Sequence, residues 1–137
     1  MTTYNKPLPV IDDLTRPYWT HAKAHQLAVQ HCRACGHVHF PPSPVCPACL
    51  SADQDWQVVS GRGTLVSWAH FHRAYWKSFA EDVPYNVCVV ALEEGPRIVS
   101  NLVGPTDALR AGLALRATFD DVTEAVSLVR FKVQSPQ

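Results

Sequence analysis

The sequence predicts a mainly β chain: one helix near the N-terminus, a small metal-knuckle ribbon, and then a barrel of five or six short strands. Three observations carry that expectation. Two C-x2-C pairs, Cys32/Cys35 and Cys46/Cys49, stand ten residues apart. Helical periodicity is confined to the residues after Asp12 and Asp13. Beyond Cys49 the chain breaks into short apolar runs punctuated by Gly and Pro. At 137 residues it fits one ordinary domain or two very small ones, and a core of that size is marginal once divided. Any second unit therefore needs a staple.

Residues 1–12 are polar and contain prolines, as an extended arm would. Asp12 or Asp13 can cap a helix running to about Ala24, with Pro17 tolerated in its first turn and Leu14, Tyr18, His21 and His25 on one face. Its large side chains, Tyr18 and Trp19, are core anchors on one reading and a partner-docking face on the other. Leu27 to His31 and Val38 to Phe40 flank the first CxxC as a hairpin. Pro41, Pro42, Pro44 and Pro47 forbid a helix through the second, which must also be a turn.

The runs that follow are Trp56 to Val59, Thr64 to His72, Tyr85 to Leu92, Arg97 to Val103, Ala114 to Phe119 and Val126 to Val133, with a helical turn after Pro105. They suit a small closed barrel of the OB type, with a small sandwich as the competing architecture. The resulting division is arm and helix over 1–26, ribbon over 27–55 and barrel over 56–137.

Cys32, Cys35, Cys46 and Cys49 have the spacing of a zinc ribbon or a rubredoxin-like knuckle pair, and Gly36 permits the left-handed backbone such a turn needs. Four protein ligands saturate a tetrahedral ion and leave no position for water or substrate, so the site is expected to stabilise rather than catalyse. Iron in the same cage would mean electron transfer, and a CxxC redox couple is a further alternative; zinc ranks ahead of both. Cys88, inside the apolar run YNVCVVAL, reads as a small buried hydrophobe rather than a nucleophile.

Of the seven histidines, His21 and His25 lie one turn apart, His70 and His72 share one face of a strand, and His37 and His39 flank the knuckle; none has a third ligand at motif spacing. The segment His72 to Tyr85 interleaves Arg73 and Lys77 with Tyr75, Trp76 and Phe79. It is too long for a tight hairpin, and long loops on rigid barrels commonly bind ligands. Aromatic faces beside fixed cations suit an adenine ring with phosphates, or a protein partner.

Composition excludes several classes. Twelve basic residues balance twelve acidic ones, and the barrel portion alone balances too, which poorly supplies phosphate-backbone binding. No apolar run approaches a membrane span, the N-terminus carries no signal-peptide pattern, and five cysteines suit thiols in a reducing compartment; a cytoplasmic location is the expectation.

Taken in order, a helix, C-x-x-C-G at Cys32 to Gly36, F-P-P at Phe40 to Pro42, C-P-x-C at Cys46 to Cys49, Trp56, S-G-x-G-T at Ser60 to Thr64, His72–Arg73, Pro84–Tyr85 and E-G-P-R at Glu94 to Arg97 span nearly the whole chain. The combination resembles the family of zinc-ribbon plus OB-fold proteins associated with acyl-CoA metabolism. The resemblance implies a structural zinc, an OB barrel that does not bind nucleic acid, CoA or acyl-CoA as a ligand, and hetero-oligomers with thiolase-like enzymes, lipid-transfer-type aldolases or hydratases. Where that family often has a Gly before the leucine ending the helix, this chain has Gln26 preceded by His25. The expected function is a non-catalytic accessory subunit. The alternatives are a stand-alone acyl-CoA thioesterase using His70 or His72, and a single-stranded nucleic-acid binder.

Overall fold

In the computed structural model, which describes residues 4–134, Asp12 opens the helical segment as expected. Its carboxylate accepts the Thr15 backbone N–H at 2.9 Å while the Thr15 hydroxyl accepts the Asp12 N–H at 3.2 Å, a reciprocal box that satisfies two otherwise unpaired donors. A turn at 13–15 leads into α1 (Arg16–Lys23). The helix ends in a Schellman arrangement: Gln26 N–H bonds the His21 carbonyl and His25 N–H the Ala22 carbonyl, each at 2.9 Å. That motif puts His25 at φ 59, a conformation normally reserved for glycine.

Three strands form the ribbon sheet: β1 (Leu27–Cys32), β2 (Val38–His39) and β3 (Gln54–Val59), in the order β2-β1-β3 and antiparallel. The run Trp56 to Val59, expected to open the barrel, instead pairs along its whole length with β1, from Leu27↔Val59 to Cys32↔Gln54. The central position of β1, with α1 packed on it, explains why Leu27, Ala28, Val29 and Gln30 are all buried rather than alternating.

Five strands remain for the barrel: β4 (Arg62–Phe71), β5 (Tyr85–Leu92), β6 (Arg97–Ser100), β7 (Ala114–Asp121) and β8 (Ser127–Val133), ordered β6-β5-β4-β7-β8. A parallel bridge between Leu102 and Phe131 brings the two ends of this curled sheet together. Val103 N–H donates to the Phe131 carbonyl at 2.8 Å, and Phe131 N–H to that of Asn101 at 3.0 Å. This is the closure of a five-stranded OB barrel. The helical turn expected after Pro105 is a pair of simple turns, and the short 3-10 helix lies earlier, at Lys77–Phe79.

Leu65, Cys88, Val90, Ile98, Leu102, Leu115 and Phe131 fill the barrel, and their cluster continues without a break into Tyr18, Leu27, Val29 and Val59 of the helix and ribbon. The two glycine-containing motifs meet where ribbon passes into barrel. Ser60 N–H donates to Glu94 at 2.9 Å, and Arg62 Nε to Glu93 at 3.0 Å. A Cβ on Gly63 would lie 2.6 Å from the Ala91 carbonyl oxygen and 2.8 Å from Val90, so only glycine lets β4 pass β5 there.

Candidate metal centre and docking surface

The two knuckles are built alike. Gly36 N–H bonds the Cys32 carbonyl and Leu50 N–H that of Cys46, both at 2.8 Å, while Cys32 N–H reaches His37 and Cys46 N–H reaches Ser51, again at 2.8 Å. The residue following each pair takes positive φ, 80 at Gly36 and 66 at Leu50. These turns aim four sulfurs at one point: the Sγ atoms of Cys32, Cys35, Cys46 and Cys49 all lie within 4.8 Å of one another, and none is in a disulfide. Cys32 and Cys49 are separated by 3.6 Å and Cys35 and Cys46 by 3.7 Å. Zinc–sulfur bonds of ~2.3 Å directed tetrahedrally put sulfurs about 3.8 Å apart, so the cage fits the ion.

Cys32 and Cys46 are buried and Cys35 and Cys49 exposed. Burial opposes ionisation of Cys46, yet the backbone N–H groups of Cys49 and Ala48, with the thiols of Cys35 and Cys32, bring it down to about 7. A thiolate is the form that binds metal, and the neighbouring thiols hold Cys35 and Cys49 up while Cys32 and Cys46 come down, so the four share their ionisation until an ion takes the protons' place. Beside the first knuckle, His31 Nδ1 lies 2.9 Å from Asp55 and Arg33 Nε 3.2 Å, and these contacts hold the Asp55 carboxyl below its ordinary range.

The other expected residues separate into buried and displayed. Tyr18 is 9% exposed and lies in the core, where burial pushes its hydroxyl up to about 12. Packing therefore accounts for it. Trp19 is half-buried, edge-on to Tyr18 at 4.9 Å, and borders a groove with Ile11, Arg16 and Lys23. Cys88 is buried and its thiol is pushed up to about 11 by desolvation, the state of an inert packing residue.

His72 lies past the end of β4 and so does not share a strand with His70, whose Nε2 stands 3.3 Å from the Thr106 hydroxyl. Tyr75 and Trp76 are 64% and 60% exposed, with the Arg73 guanidinium 5.2 Å above the Tyr75 ring. Phe79 and Tyr85 face each other at 5.9 Å, and Phe71 meets Tyr85 at 5.3 Å. Neither Arg73 nor Lys77 enters an ion pair among the described residues.

One participant was not legible from the sequence. Lys6 of the arm bonds Asp82 at 3.1 Å and stands 5.7 Å above the Phe79 ring, tying the arm to the loop. Arm and barrel enclose a groove of ≈ 1010 Å³ bordered by Tyr4, Phe79, Tyr85, Val99 and Arg130. It runs from the second and third barrel strands across to the ends of the fourth and fifth. At the other end of the helix, His25 stacks on Phe119 at 5.2 Å and contacts the Asp121 carboxylate at 3.1 Å, and Lys23 donates to the Thr123 carbonyl at 2.8 Å.

Comparison with known proteins also divides the chain into ribbon and barrel, with the barrel portion counted from residue 56 although Trp56 to Val59 pair with β1. Residues 19–54 match the ChsH2 rubredoxin-like zinc ribbon domain and residues 56–120 the ChsH2 C-terminal OB-fold domain. The chain is 32% identical, over 96% of its length, to a probable enoyl-CoA hydratase alpha subunit of Thermomonospora curvata, but spans only 41% of that protein. It is 31% identical to a DUF35 domain-containing scaffold protein of Methanocaldococcus jannaschii, covering 77% of each. Among solved structures, a chain of the Ltp2-ChsH2(DUF35) aldolase superposes with a TM-score of 0.81 at 31% identity, over 92% of this chain and 98% of that one. A ribbon of this geometry joined to a barrel of this order, matched over nearly its whole length, places the chain in the ChsH2/DUF35 family of zinc-ribbon and OB-fold proteins.

Proposed function

We propose that this chain is a non-catalytic accessory subunit of an acyl-CoA-processing complex, working beside a thiolase-like enzyme, a lipid-transfer-type aldolase or a hydratase. The observation that carries the reading is the likeness, over 98% of the compared chain, to the DUF35 component of an aldolase assembly. Relatives named as hydratase alpha subunits support it, as does a scaffold protein of about this chain's extent. The physical chemistry agrees. The cysteine cage offers an ion four thiolates and no place for substrate, so the metal orders the ribbon.

The loop 72–85 is the proposed contact with CoA or partner. Tyr75 and Trp76 present rings, and Arg73, set above Tyr75, and Lys77 present charge of the sign that meets phosphate or carboxylate. Phe79 and Tyr85 pack on each other beneath that surface, exposed His72 begins it, and Trp19 provides a second proposed docking edge beside Ile11, Arg16 and Lys23. The test is purification of the tagged chain from its host, identification of the acyl-CoA enzyme that accompanies it, and titration of both with CoA. The Arg73→Ala variant is expected to keep the fold and to lose CoA affinity or complex stability. Acyl-CoA turnover by the isolated chain would refute the accessory role, and unchanged binding in both assays would remove Arg73 from the surface.

A further inference from the structure

The far half of β4 keeps a strand partner on one side only. From Arg62 to Thr64 it pairs with β7 on one side and β5 on the other, and Leu65 is bonded to Leu113 and Gly112. After a register shift between Leu65 and Ser67 it continues to Phe71 with β5 as its sole strand partner. Among the described residues no other backbone hydrogen bond reaches Ser67 to Phe71. All five residues are exposed and this edge carries no strand; at Ser67 and Trp68 the partner β5 is itself paired with β6, so only Ala69 to Phe71 stand as two strands, with His70 3.3 Å from the Thr106 hydroxyl.

Natural proteins blunt such edges with lysine, proline or a covering segment, because the free N–H and C=O groups invite another strand. Ser67-Trp68-Ala69-His70-Phe71 contains neither lysine nor proline, and it displays Trp68 at 37% and Phe71 at 36% exposure. Tyr75 and Trp76, four and five residues on, are exposed as well.

We infer that the edge of β4 from Ser67 to Phe71 takes up an extended segment of the catalytic partner as an added strand, with carboxylates of that segment meeting Arg73 and Lys77. The inference rests on the accessory-subunit reading and supplies its mode of attachment. Backbone bonding gives the grip, and alternate side chains of the added strand pack beside Trp68 and Phe71. Charge selects the occupant: of the charged residues in 66–85, Asp82 is taken by Lys6, which leaves Arg73 and Lys77 against the single carboxylate of Glu81. A second copy of this chain fits poorly. Two-fold antiparallel pairing centred on Ala69 would set each Arg73 opposite the other copy's Leu65, where Gly112 and Leu113 already fill the edge and Arg110 adds like charge.

Hydrogen exchange on the co-purified complex and on the chain alone tests this, together with Ala69→Lys, which adds an edge-blocking charge at an exposed site. Exchange at Ser67 to Phe71 should slow by about tenfold or more in the complex, and the variant should weaken association by a similar factor while its melting temperature holds. Protection confined to residues 72–85, with undiminished binding of the variant, would overturn the added strand and leave the accessory role standing. Protection that grows with concentration of the chain alone would assign the edge to a second copy and overturn it as well. Failure of any acyl-CoA enzyme to accompany the chain would defeat both readings.

Discussion

Replacing Cys46 by serine separates a structural cage from every alternative. Cys46 is fully buried, its sulfur accepts the Ala48 N–H at 3.4 Å, and it lies 3.7 Å from Cys35. A hydroxyl there stays protonated at neutral pH and is a poor zinc ligand. Metal binding in small modules is worth on the order of 10 kcal/mol, and one ligand in four is then roughly 2–3 kcal/mol, or on the order of a hundredfold in affinity. Competition for zinc with a fluorescent chelator measures that factor directly, with elemental analysis giving metal per chain. Cys49→Ser should lose less, since Cys49 is exposed and water can solvate its replacement. Cys88→Ala, inside the barrel, should leave zinc affinity unchanged. Wild-type affinity in Cys46→Ser, or equal losses in Cys46→Ser and Cys88→Ala, would refute the four-sulfur site.

Gly63→Ala forces a Cβ to 2.6 Å from the Ala91 oxygen, so overpacking should cost about 1–3 kcal/mol and lower the melting temperature by several degrees, read by calorimetry. His25→Ala and His25→Gly both lose the Asp121 and Phe119 contacts, but only alanine retains a side chain at φ 59; the glycine variant should be more stable by about 1 kcal/mol in urea unfolding, and equal stabilities would remove backbone strain from the account. Asp121 is held below its ordinary range by the Ser127 hydroxyl first and by His25 next. A depressed carboxyl contributes fully above its unfolded value near ~4 and loses that contribution as pH falls through the folded value, so acid should loosen the helix from the β7–β8 turn. Melting temperatures between pH 7 and pH 3 should fall less steeply in Asp121→Asn than in wild type, and parallel curves would count against this carboxyl.

What the sequence made legible was local. Cysteine spacing exposes the cage because each knuckle is a turn of a few residues, and the left-handed positions at Gly36 and Leu50 follow from that turn. The capping role of Asp12 is equally local, completed by Thr15 three residues on. Pairing was less readable. The run beginning at Trp56 has the texture of any half-buried strand, and nothing in it says that β1, rather than β5 or β7, lies alongside. Barrel closure depends on Leu102 meeting Phe131, and the grip of the arm on the loop depends on Lys6 meeting Asp82; both are contacts between distant segments without a periodic signature. The departure from the family pattern at Gln26 marked the helix end, but that the glycine conformation falls on His25, with Asp121 and Phe119 in contact with its ring, needed the fold.

The uninterrupted interior joining Tyr18, Leu27, Val29 and Val59 to Leu65, Leu115 and Phe131 has a mechanical meaning. The helix, the ribbon strands and the barrel share one interior, so a load applied to one is passed to the others. Under the proposed accessory role, a partner enzyme would meet a spacer of fixed shape, and stripping the ion would loosen the ribbon strands that share that interior.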